Sequence, residues 1–146
     1  MMLGPAIIAR LEADAAIVAA VGDKIHWLIR PQGVANDLPA IVVQVVSEER
    51  TQHLKGFEDM AVARLQASCM AEKYSASRKL AEEVIRVLVP IYEAQDAESQ
   101  IVFWRGSVDG PRDMGNQEET RFVHRAVVDL TIRYGTVALT KEHANG

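Results

Sequence analysis

The sequence predicts an α+β fold: a largely antiparallel β-sheet of about four to five strands with helices packed on one face, in the order α-β-β-β-α-β-β. Three observations lead to it. Arg121–Tyr134 alternates strictly, with Phe122, His124, Ala126, Val128, Leu130, Ile132 and Tyr134 on one side and a mostly charged set on the other. Leu80, Ala81, Val84, Ile85, Val87 and Leu88 recur at helical spacing ahead of Pro90. The alternating stretches before and after that helix come in pairs whose connections read as hairpins, which makes the sheet mainly antiparallel.

The chain opens with a helical pattern. Pro5 suits a first helical turn, and Ile7, Ile8 and Leu11 follow on one stripe. Asp14 is a candidate cap for a second turn carrying Ala15, Ile17, Val18 and Val21, which Gly22 ends. Two short helices or one kinked helix both fit.

Lys24–Ile29 reads as a short strand, and Arg30–Leu38 as a loop rich in Pro, Gly and Asn. Ala40–Ser47 follows as a strand with valines and isoleucine on both faces, so it is expected to be covered on both sides, or on one side by a neighbouring subunit. Glu48–Asp59 reads as a long polar loop. In Met60–Ala71, the small face of Ala63, Leu65, Ala67, Cys69 and Ala71 suits close packing of a helix. Ser75 or Ser77 starts the main helix, which runs to about Val89, with Glu82 and Arg86 one turn apart on its polar side.

Gln100–Gly106 is a further strand, and Ser107–Thr120 a second long polar loop. The last strand, Arg121–Tyr134, spans roughly 45 Å at about 3.3 Å per residue, so it must either bend at a bulge or overhang its sheet as an arm. Thr140–Gly146 is a polar tail.

The 146 residues read as one domain over 1–146, long enough to bury a core. With 49% hydrophobic and 25% charged residues the composition is that of a globular protein. No apolar run approaches the ~20 residues of a membrane helix, and the N-terminus lacks the pattern of a signal peptide. A net charge of −4 argues against direct nucleic-acid readout, and three Phe, three Tyr and two Trp are too scattered for a stacking platform.

Chemistry is hard to find. Cys69 is the sole cysteine and lies in a strand, which suits an inert buried thiol. His26, His53, His124 and His143 show no metal-ligand spacing, and His124 reads as a core histidine. No phosphate-binding glycine loop or nucleophile elbow occurs. Glu82 and Glu83 point apart on a helix. Asp129 between Arg125 and Arg133 fits a surface charge ladder or subunit contact better than an acid in a pocket. No catalytic, cofactor-binding or metal-binding residue is expected. A small-ligand-binding or hydrolytic enzyme using Asp129, His124 or Glu72 is the alternative from another class.

The mixed charges of the two polar segments suit a self-complementary interface between subunits. The candidate interface residues are Glu48, Glu49, Arg50 and Lys55 on the first, Arg105, Arg112, Asp113 and Arg121 on or beside the second, and Arg125 and Arg133 on the charged face of the last strand.

Four stretches, in order, carry a family resemblance. They are Ala13-Asp14-Ala15 through Val21-Gly22-Asp23-Lys24-Ile25; Arg30-Pro31-Gln32-Gly33 with Leu38-Pro39-Ala40-Ile41-Val42-Val43 and Val46-Ser47; Leu65-Gln66-Ala67 through Ala71-Glu72-Lys73-Tyr74-Ser75 into Leu80-Ala81-Glu82-Glu83-Val84; and Val127–Tyr134. Over roughly residues 5–135 the chain resembles the tail completion, or tail terminator, family of long-tailed phages, also found in prophages and gene transfer particles. Ile41 stands where an aromatic is common and Met70 where tryptophan is frequent, departures that touch packing.

The resemblance implies a compact α+β domain without catalytic residues or cofactor. It implies a ring, usually of six subunits, that caps the finished tail tube and offers a surface to the head–neck connector or stopper protein. The implied partners are further copies of the chain, the tail tube protein and that connector. The implied location is the tail–neck region of the virion, after synthesis in the bacterial host cytoplasm and without a membrane step. Another neck protein, such as a head–tail joining protein, is the alternative within the same class.

Overall fold

The computed structural model of the chain describes residues 3–30, 37–53, 56–89, 94–96, 101–118 and 121–136. Its helices are α1 (Leu3–Glu12), α2 (Ala15–Val21) and α3 (Tyr74–Leu88). Its strands are β1 (Ile25–Trp27), β2 (Ala40–His53), β3 (Gly56–Ala71), β4 (Ala94–Asp96), β5 (Ile101–Glu118) and β6 (Arg121–Thr136). The strands form one open sheet in the order β1-β2-β3-β6-β5-β4. All neighbours are antiparallel except β1 and β2, which run parallel with Ile25 beside Ile41. The α+β class holds, with the three-residue β4 as an added edge strand.

Two separate helices open the chain. Asp14 accepts a hydrogen bond from the Ile17 N–H at 3.1 Å and so caps α2. Gly22 closes it with φ +62°, a conformation that costs residues with a Cβ. Pro5 falls inside the first turn of α1 rather than at its first position.

The three helices lie on one sheet face and close a single core with it. Ile7 and Leu11 of α1, Ile17 of α2 and Leu80, Val84 and Leu88 of α3 are buried against Ile41, Val43, Leu65, Val128, Leu130 and Ile132. The small face of β3 is buried throughout, from Ala63 to Ala71, and it lets α3 approach closely. Gly106 on β5 serves the same end. A Cβ there would sit 2.8 Å from the Leu88 carbonyl oxygen and 3.0 Å from that of Val89, so only glycine admits the end of α3.

Both expected polar loops are largely strand. β2 runs on through Glu48 and Glu49 to His53, opposite β3, and β5 continues through Ser107 to Glu118, opposite β6. Backbone pairing sets the course of these extensions, and their largely polar sequence leaves no period-two signal to read. The expected overhang also belongs elsewhere. β6 is paired with β3 from His124 to Gly135 and with β5 from Arg121 to Thr136, so it is the middle of the sheet. Its partner β5 absorbs the irregularity, with register shifts between Phe103 and Arg105 and between Asp109 and Arg112. The segment that projects is the β2–β3 hairpin, which continues past the last β3–β6 pair, Met60 with Gly135.

Among the described residues, the second sheet face carries no helix. Val42, Ser68, Val123 and Val127 are nevertheless buried there, while Val46 is exposed. The expectation of cover on both sides of β2 therefore holds for its first half only.

Candidate functional site

Strand register sorts the charged candidates by face. On β6, Arg125, Asp129 and Arg133 alternate with the core residues and so share the helix-free face with Val127. Cross-strand pairing adds Met114 beside Arg125, Arg112 beside Val127 and Asp109 beside Asp129. From β3 come Met70, Ser68, Gln66 and Arg64, opposite Arg125, Val127, Asp129 and Thr131. Glu49 of β2 joins the same face opposite Val62. The outcome is a four-strand surface with arginines and acids of both signs.

Some of these charges are paired and others are free to act outward. Arg112 lies 2.9 Å from Asp129, both partly exposed. Arg112, across the strands, is thus the ion partner of Asp129, which stays partly exposed. Arg125 donates from Nε to the Ser68 hydroxyl at 3.1 Å and has no carboxylate partner among the described residues. Arg133 and Glu49 are exposed, with no ion partner among the described residues.

Three candidates turn out to brace the fold. Glu48 accepts from the hydroxyl of the buried Tyr134 and so ties β2 to β6 on the helix side. Asp113 accepts from the Tyr74 hydroxyl at 3.1 Å and pairs with Arg78 at 3.3 Å, fixing β5 to the start of α3. Arg121 bonds both oxygens of Asp37 at 2.8 and 2.9 Å and reaches Glu72 at 3.1 Å. The Asp37 hydrogen bond, the largest cause, raises the Arg121 pKa, and Glu72 adds to it. Arg50 and Arg105 are placed by backbone register, opposite Ala61 and Arg133. Lys55 lies outside the described residues.

The Arg121 contacts are part of a larger ion network that sequence reading does not reveal. Arg30 is buried, pairs with Asp37, and donates to both oxygens of Glu118 at 2.9 and 2.7 Å. The network joins the segment after β1 to the turn end of the β5–β6 hairpin and, through Glu72, to the end of β3. Paired carboxylates around each guanidinium make burial of Arg30 tolerable. Its only sequence trace is that Arg30 opens the Arg-Pro-Gln-Gly stretch.

The same end of the sheet collects exposed apolar side chains. His124 is half-buried rather than the core histidine expected, and Phe122, on the same side of β6, is exposed. His124 instead meets Phe122 and Tyr74 edge-on, with ring centroids at 4.9 and 6.0 Å. The reason is position: these residues lie at the turn end of β6, next to α3's first residue, beyond the described core. Leu28, Ile29 and Met114 are exposed as well. Among the described residues no three metal-ligating side chains cluster, and no helix is long and apolar enough to cross a membrane.

Comparison with known proteins agrees with this architecture. A comparison with curated proteins finds no match. One chain of a solved structure titled "Virion of native gene transfer agent (GTA) particle" has the same fold, with a TM-score of 0.61 at 19% identity over 90% of this chain and 92% of that one. The family model described as "Tail completion protein gp17" matches residues 5–135, nearly the whole described fold. The chain thus belongs to the tail completion protein gp17 family, a family of structural phage tail proteins.

Proposed function

We propose that this protein is a tail terminator: copies assemble into a ring, six in the reading the resemblance favours, that caps the tail tube and joins it to the head–neck connector or stopper protein. Its place is then the tail–neck region of the particle, reached after synthesis in the host cytoplasm. The observation that carries the reading beyond family membership is the helix-free sheet face. It spans four strands, presents Arg125, Arg133 and Glu49 without ion partners among the described residues, and holds Asp129 in a partly exposed pair with Arg112. Charges of both signs on one surface favour defined contacts with other copies or other tail proteins over bulk adhesion. Arg125, Arg133, Arg112 and Glu49 are the contact residues in this reading, with Arg105 opposite Arg133 by backbone register. Glu48, Asp113 and Arg121 shape the surface.

Analytical ultracentrifugation with negative-stain imaging, in the presence of purified tail tubes, tests it. The expected result is a ring at one end of each tube. A protein that stays monomeric and binds no tube end overturns it.

A further inference from the structure

On the helix-free face, a groove of about 530 Å³ lies at the end nearest the β5–β6 turn. Its apolar rim is held out by an unusual turn. The Ile29 N–H donates to the Trp27 carbonyl at 3.0 Å, closing a three-residue turn with Leu28 at φ +76°. The Leu28 N–H donates to Val43 at 2.9 Å and anchors the turn to β2. A leucine in that conformation is strained, and such strain persists where a function holds it. Here it leaves Leu28 55% and Ile29 76% exposed, facing a groove completed by Met114, 50% exposed, and Arg125. An exposed apolar cluster with methionine and arginine has the chemistry of an interface centre.

A complementary element lies elsewhere on the same molecule. β1 pairs β2 only at Ile41–Val43, so among the described residues the outer edge of β2 is open beyond them. At the register shift between Val45 and Ser47, Val46 is 58% exposed, and the acids Glu48 and Glu49 follow. That edge offers the apolar Val46 and the carboxylate of Glu49, unpaired among the described residues, whereas Glu48 is turned to Tyr134. The groove offers Leu28, Ile29 and Met114 beside Arg125, while the Arg30 and Glu118 that also line it are bonded to each other.

We propose that the Leu28–Ile29–Met114 groove of one copy receives the Val46–Glu49 edge of the next copy, with Glu49 meeting Arg125; this rests on the ring reading above. Groove and edge are different surfaces, so the contact is head-to-tail, and a head-to-tail contact can repeat around a closed ring. The apolar side chains fill the centre and the ion pair fixes the register.

Charge reversal tests the contact. Arg125→Glu places two acids together, and Glu49→Arg two cations. Each alone is expected to raise the protein concentration for half-maximal ring formation by about a hundredfold. Mixing the two variants, or combining both changes in one chain, restores opposite charges at every contact and is expected to restore rings, which also shows that both variants are folded. Rings that persist in both single variants, failure of the mixture and the double variant alike, or a fixed dimer would overturn the contact and leave the terminator reading standing. A wild-type protein that forms no ring on tail tubes overturns both.

Discussion

Arg30 bridges two carboxylates that are far apart in the chain: one nitrogen of its guanidinium pairs with Asp37, and the other donates to both oxygens of Glu118, 88 residues away, at 2.9 and 2.7 Å. Side-chain exposure of Arg30 is only 4%, so this is an ion network within the protein rather than a surface pair. Such a group contributes chiefly by not being left alone. Replacing it removes the buried cation between Asp37 and Glu118 and leaves Arg121, 2.8 Å from Asp37 and 3.6 Å from Glu118, as their remaining counter-charge. Arg30→Ala is expected to lower the unfolding free energy by about 3 kcal/mol, read from the denaturant midpoint at unchanged slope. Arg30→Lys recovers only part, because one ammonium does not reproduce a planar group that serves Asp37 and Glu118 from separate nitrogens.

Asp14 gives the early helices a pH dependence. Its side chain accepts from Arg86 at 2.6 Å and from the Ile17 N–H at 3.1 Å, and both lower its pKa below the ordinary 3.8, Arg86 most. A carboxyl whose folded pKa is depressed adds stability above its unfolded value and loses it as pH falls through the folded one. Arg86→Gln is therefore expected to lower the melting temperature at pH 7, with the gap to wild type narrowing below about pH 4. Thermal melts across pH 3–7 check this. A gap that stays constant would show that the pair does not act through Asp14 ionisation.

Cys69 titrates in the opposite sense. Burial alone pushes its thiol up from 9.0 to about 12. The neutral thiol is the form the fold favours, so its contribution is complete below the unfolded value and declines as pH rises between about 9 and 12. Native protein at pH 8 is expected to react with a thiol-specific disulfide reagent far more slowly than urea-unfolded protein. Equal rates would place the thiol at the surface.

Much of the fold was legible where one side of an element is buried. The α3 stripe, the small face of β3 and the Ala126–Tyr134 alternation all announce the core because apolar burial imposes a period. Asp14 and Gly22 were legible because helix ends need specific chemistry. Glu48–His53 and Ser107–Glu118 were not. There the backbone ladder supplies the order, and a largely polar sequence carries no apolar alternation. The charged face of β6 was readable as a set, but its pairings were not. Arg112 meets Asp129 across strands, Arg121 meets Asp37, and Arg30 meets Glu118, contacts made between segments that lie far apart in the chain. Leu28 and Ile29 could not be found from the sequence, since nothing in a Leu-Ile pair signals a left-handed turn.

The middle position of β6 has a mechanical consequence. The β2–β3 and β5–β6 turns lie at opposite ends of the sheet, and the two hairpins meet along the β3–β6 seam, from Met60–Gly135 to Ala71–His124. A pull applied between those two ends runs parallel to the strands. It loads the whole row of seam hydrogen bonds together, in shear, and does not peel them one after another. A domain wired this way resists stretching along its strands far better than prying at its edges.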